Sequence, residues 1–93
     1  MKKWHGKIIV IDNKRNVDSE MARYHLKIVD VIEILDEGIQ VTKRKKGIHE
    51  KWLRRGKHIR IAVVENCGDY WLLRHVSEIT ATKKKLKLMR GEK

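Results

Sequence analysis

From Ile39 onward the chain is cut at near-regular intervals by three short glycine-bearing breaks, Arg44-Lys45-Lys46-Gly47, Arg54-Arg55-Gly56-Lys57 and Asn66-Cys67-Gly68-Asp69. Nothing else in the sequence constrains the fold so strongly. Short apolar-rich runs separated by tight glycine-containing turns pair with their neighbours as antiparallel hairpins. Taking each break as a two-residue loop sets the register of four strands. Arg60 then lies across from Lys51 on one side and from His75 on the other, and Lys51 lies across from Gln40. The same register gathers Ile39, Val41, Ile48, Trp52, Ile59, Ile61, Val63, Leu72 and Val76 on one face, interrupted by Glu50 and Arg74. A slip of one residue in any hairpin would turn its apolar set toward water.

Upstream, the run Lys7 to Ile11 ends in Asp-Asn-Lys-Arg-Asn and reads as a buried strand followed by a turn. Asp18 suits a helix N-cap and Gly38 a residue just past a helix end. Between them Met21, Tyr24, Ile28, Val31 and Leu35 recur at the spacing of one helical face, which predicts a helix over residues 19–37. The β-branched run at Ile28, Val29, Val31, Ile32 and Ile34 supports a rival strand, but length and both end signals favour the helix. The expected fold class is α+β: an N-terminal strand, one main helix packed on the apolar face of a four-stranded antiparallel β-meander, and a basic C-terminal tail.

A chain of 93 residues buries about two thirds of its unfolded surface at best, which leaves room for one core. Residues 1–82 are therefore expected to form a single domain and residues 83–93 a basic tail, either an amphipathic turn or an arm. No apolar stretch approaches the ~20 residues of a membrane span, and no apolar signal segment follows the first lysines. A cytoplasmic location without membrane partners is expected. Cys67 stands alone, and neither it nor the histidines have zinc-site spacing, so no metal or other cofactor is expected.

The chain carries 23 Lys and Arg against 12 Asp and Glu, a formal charge of +11. The excess is localised. Residues 43–60 hold nine bases and one acid, the tail from Lys83 holds six bases and one acid, and residues 17–38 hold six acids and two bases. A domain polarised in this way is steered basic side first toward a polyanion, and nucleic acid is the commonest one in the cytoplasm. The candidate contacts are Lys43, Arg44, Lys45, Lys46, Arg54, Arg55 and Lys57. A solvated, charge-rich surface is the bland alternative.

In the expected register, Lys51, Arg60 and His75 form one rung on the face away from the helix. Like charges so placed repel unless an anion lies between them. A phosphate would satisfy that demand: Lys51 as a point charge, Arg60 as a fork and His75 as a proton carrier. Trp71, expected on the same face, is a candidate base-stacking surface, with Tyr70 at its rim.

The segment Met21-Ala-Arg-Tyr-His-Leu-Lys-Ile-Val-Asp-Val-Ile-Glu-Ile-Leu-Asp-Glu-Gly38, followed by a basic meander closing on Trp71-Leu72-Leu73-Arg74-His75-Val76, resembles small toxins of the RelE/ParE superfamily, BrnT-like members included. That resemblance implies a metal-independent endoribonuclease, an mRNA interferase of a toxin–antitoxin pair. It also implies ribosome-associated mRNA and an antitoxin protein as partners. It adds Arg74 to Lys51 and Arg60 as phosphate ligands, with His75 as the proton-transfer group. Two readings from the residues stand beside it: a non-catalytic basic RNA- or DNA-binding module, and a protein-interaction domain working through its acidic helix.

Overall fold

A computed structural model describes residues 3–41 and 45–90. In chain order the elements are β1 (Lys3–Trp4), β2 (Lys7–Ile11), a 3-10 turn (Asn13–Arg15), α1 (Val17–Arg23), α2 (Ile28–Glu37), β3 (Ile39–Gln40), β4 (Ile48–Arg55), β5 (His58–Asn66), β6 (Tyr70–Thr80) and α3 (Lys83–Met89). The strands form one six-stranded sheet in the order β1-β2-β6-β5-β4-β3. β2 runs parallel to β6, and the other pairings are antiparallel. Among the described residues no helix is long and apolar enough to cross a membrane.

The fold is α+β, but the expected four-stranded antiparallel meander with one main helix is corrected to a six-stranded mixed sheet with three helices. The β3–β6 meander is present. The N-terminal hairpin adds two strands, and β2 docks in parallel against the last strand, with Ile9 opposite Trp71 and Ile11 opposite Leu73. Parallel pairing between the two ends of a chain leaves no local turn signal to read.

The expected helix over residues 19–37 is two helices. His25 adopts a left-handed backbone with φ 55°, which ends the first helical run. The break turns Leu26 into the core, and the Asp30 carboxylate accepts the Lys27 backbone N–H at 2.8 Å to start α2. The residues expected to form the helical stripe are nevertheless packed together: Val31 and Leu35 are buried, and Met21, Tyr24 and Ile28 lie against them.

The hairpins keep the expected register only in part. Ile39 does pair with Trp52 and Gln40 with Lys51. At the next turn the loop is Gly56-Lys57, one residue later than expected, so Arg60 faces Leu53 and Lys51 faces Ala62. Gly56 has φ +60° there, a conformation glycine adopts without strain. In the last hairpin Asn66 pairs with Trp71, and a bulge then inserts Arg74 between the Val64–Leu73 and Val63–His75 pairs. One extra residue reverses which face later side chains occupy. Val76 therefore lies with Ala62 and Glu78 with Arg60.

The sheet is covered on both faces. α1 and α2 pack on Ala62, Val64, Trp71, Leu73 and Val76. That is the face expected to be open, because the bulge and β2 bring apolar residues to it. The face expected to receive the main helix, with Trp52, Ile59, Ile61 and Val63, is closed by Leu86 and Met89 of α3. The first residues of the basic tail are thus a helix that seals a second, smaller core. Gly38 fixes the approach of α2 to β4. A Cβ there would collide with the Ile34 carbonyl oxygen and come within 2.9 Å of that of Trp52.

Candidate functional site

β2 stops at Ile11, and the last backbone link on that side is Asp12 N–H to the Leu73 carbonyl at 3.0 Å. From Arg74 onward the outer edge of β6 has no strand beside it among the described residues, so its N–H groups need other partners. Glu20 on α1 supplies one: its Oε1 accepts the Val76 N–H at 3.2 Å. The other carboxylate oxygen lies 2.7 Å from His75 Nδ1. One glutamate therefore caps the bulged edge and holds an imidazole.

Around this pair is a shallow cleft of about 320 Å³ lined by Arg15, Glu20, Val63, Arg74 and His75. The His75 side chain is 46% exposed, and its other ring nitrogen has no hydrogen-bond partner among the described residues. Arg15 is held by Asp12, with Nη1 2.6 Å from Oδ2, and Arg74 lies 3.7 Å from Glu65. Asp12 is buried. Its burial pushes the carboxyl upward, but hydrogen bonds from Arg15 and the Lys14 N–H, with the charges of Arg15 and Arg74, outweigh it and hold the group below the usual aspartate range. The carboxylate stays charged and anchors Arg15 at the cleft rim.

The arrangement suits a transferable proton beside an anion. With Nδ1–H donated to Glu20, a neutral His75 keeps its Nε2 lone pair free to act as a base, and the carboxylate supports the imidazolium that forms. The two guanidiniums supply flat, permanently charged forks for a phosphate or carboxylate. Among the described residues no group of three or more His, Cys, Asp or Glu side chains is placed to hold a metal ion.

The expected rung of Lys51, Arg60 and His75 does not form. Arg60 lies on the face covered by α1 and α2, where its Nη1 is 3.7 Å from Asp30 on α2 and its Nε 3.3 Å from Glu78. Lys51 is half-buried on that same face, and among the described residues it makes no ion pair. His75 sits across the sheet at the bulge, opposite Val63. The register shift in the second hairpin and the bulge in the third separate the three.

The nucleic-acid candidates are divided as well. Lys45 and Lys46 are exposed before β4. Arg54, Arg55 and Lys57 lie at its other end, roughly 25 Å away along eight residues of strand. A basic segment contiguous in sequence is thus two patches in space. Arg55 is ion-paired with Glu33 and Glu37 of α2. Lys43 and Arg44 lie outside the described residues.

Trp71 is buried, its Nε1 donates to the Trp4 carbonyl at 3.0 Å, and Lys7 Nζ stands 4.1 Å from its ring centre. It is a core residue and offers no face for stacking. Trp4 and Trp52 are buried too. Tyr70 lies outside the cleft, at the β5–β6 turn, where the negative charge of the Cys67 thiolate and its hydrogen bond push the phenol up.

Of the residues singled out in the sequence, Arg74 and His75 reach the cleft, and Arg15 and Glu20 were missed. Arg15 reads in the sequence as one base of a polar turn. Glu20 reads as a first-turn helix acid. Only the ending of β2 brings them to β6. Comparison with protein-family models, with curated proteins and with solved structures returned no match.

Proposed function

We propose that this chain binds RNA and cleaves it at the β6 bulge, without a metal, as a toxin-type endoribonuclease. The observation that carries this reading is the His75–Glu20 pair, set at 2.7 Å in one cleft with Arg15 and Arg74. A phosphodiester entering the cleft meets two guanidiniums that compensate charge developing on the phosphorane oxygens. His75 Nε2 takes the proton of the ribose 2′-hydroxyl, and the 2′-oxygen attacks phosphorus. The bond to the 5′-oxygen breaks, and the imidazolium returns its proton to that oxygen. The products are a 2′,3′-cyclic phosphate and a 5′-hydroxyl. Glu20 holds the imidazole in the required tautomer and supports its charge. This assignment keeps His75 and Arg74 as site residues and sets Arg15 and Glu20 beside them in place of Lys51 and Arg60. Ribosome-bound mRNA as the substrate and an antitoxin as the inhibitory partner belong to the same proposal.

The test is cleavage of single-stranded RNA in the presence of a chelator, with and without ribosomes. His75→Ala is expected to lower the rate by roughly 10²- to 10⁴-fold with an unchanged circular dichroism spectrum. Expression of the wild type should arrest growth, and His75→Ala should relieve the arrest. RNA that is bound in a salt-dependent way yet left intact would replace this reading with the non-catalytic binding module.

A further inference from the structure

The bases of this protein fall into two populations. Arg15, Arg55, Arg60 and Arg74 each have an acid partner. Lys83, Lys84 and Lys87 of α3, with Lys57 and Arg54 at the β4–β5 turn, are exposed and make no ion pair among the described residues. α3 carries no acid from Lys83 to Met89. Its lysines at positions 83 and 87 are one helical turn apart, where like charges repel. The Ala81 N–H donates to the Lys57 carbonyl at 2.8 Å, which sets the start of α3 against the turn.

We infer that α3 and the β4–β5 turn form a docking track for the sugar-phosphate backbone of single-stranded RNA, leading toward the β6 cleft. The inference rests on the reading above and adds the substrate class: a chain of several nucleotides rather than a minimal one. Val63 links the two regions, because it lines the cleft and also belongs to the core under Leu86 and Met89 of α3. Track and cleft therefore meet on one face of the sheet. From His58, beside the turn, to Val63 is roughly 17 Å of strand, farther than the two nucleotides flanking a scissile bond extend. A lipid surface fits less well. Leu86 and Met89 are turned into the core, and only Leu88, at 40% exposure, offers apolar area outward, whereas a surface-bound amphipathic helix inserts a whole apolar face.

The experiment compares the wild type with the triple variant Lys83→Gln, Lys84→Gln, Lys87→Gln, both checked for an unchanged spectrum. Binding of a 12-nucleotide single-stranded RNA is measured from about 50 to 200 mM salt, the range over which phosphate contacts change affinity most visibly. Turnover of an RNA dinucleotide is measured in parallel. The variant is expected to bind the 12-mer at least tenfold more weakly at low salt, with a log–log salt slope smaller by about 2, the release expected for three lost phosphate contacts on a single strand. Dinucleotide turnover should be unchanged, and a triple Lys→Arg variant should restore binding. An unchanged affinity and slope would overturn the track, as would a loss confined to anionic phosphatidylserine vesicles. If the wild type cleaves neither RNA but the variant loses slope, the cleft chemistry fails and the track stands. If cleavage is intact and the slope is the same in both proteins, the cleft chemistry stands and the track fails.

Discussion

The two faces of the sheet are built on opposite electrostatic plans. On the α1/α2 face, two arginines of the sheet are matched by acids: Arg60 lies between Asp30 and Glu78, and Arg55 reaches Glu33 and Glu37. On the α3 face the apolar contacts close a small core, and the lysines point outward without acids. A total of +11 therefore does not itself mark a binding surface, because bases such as Arg55 and Arg60 are used within the fold. α3, by contrast, carries no acid from Lys83 to Met89, and its exposed lysines keep their charge for a partner.

The contrast between the faces is challenged hardest by measuring which of them carries the stability. Ile34, the fully buried side chain on the inner face of α2, is expected to cost about 2–5 kcal/mol as Ile34→Ala, by urea denaturation. Leu86, only partly buried in the α3 core, should cost under about 2 kcal/mol as Leu86→Ala. Equal losses would mean that the two cores are equivalent and that α3 is structural before it is anything else.

Gly38→Ala comes next. The added Cβ meets the Ile34 carbonyl of α2's own last turn and the Trp52 carbonyl of β4, so both the helix end and its approach to the strand must shift, and about 1–3 kcal/mol is expected. A neutral result would show that the junction between helix and meander is loose.

The most modest change concerns Asp12, whose carboxyl is held below its usual range at the cleft rim. A depressed folded pKa contributes stability that is complete above the unfolded value and fades as pH falls through the folded one. Asp12→Asn should therefore be less stable than the wild type at neutral pH. The difference should shrink as the pH is lowered through roughly 4 and below. A difference that persists unchanged at acid pH would assign the loss to packing and not to the charge.

The amount legible in the sequence differs between elements for physical reasons. Local signals are reliable: the chain turns at Gly47, Gly56 and Gly68, the Lys7 to Ile11 run is a strand, and Gln40 does face Lys51. The stripe from Met21 to Leu35 does reach the core. The break at His25 is hidden because residues on both sides of it keep helical spacing, and a single left-handed residue leaves no periodic trace. The cleft is half legible. His75 and Arg74 stand out as a titratable ring and a base adjacent in sequence, but the rung expected to hold His75 depends on where two turns close and on the absence of a bulge. The second hairpin closes one residue later than expected, and β6 carries a bulge.

That residues 7–11 and the runs after Ile39 are strands, that the Met21 to Leu35 stripe is helical, and that the charge is segregated follow from residues within a few positions of one another, so the linear order of amino acids suffices for them. Packing in three dimensions decided the rest: which face each helix covers, which bases are neutralised, and that Arg15 and Glu20 meet His75. Those outcomes turn on one bulged residue and on a parallel pairing between strands about sixty positions apart. Side-chain direction in a sheet has period two, so a single inserted residue exchanges the faces of everything beyond it.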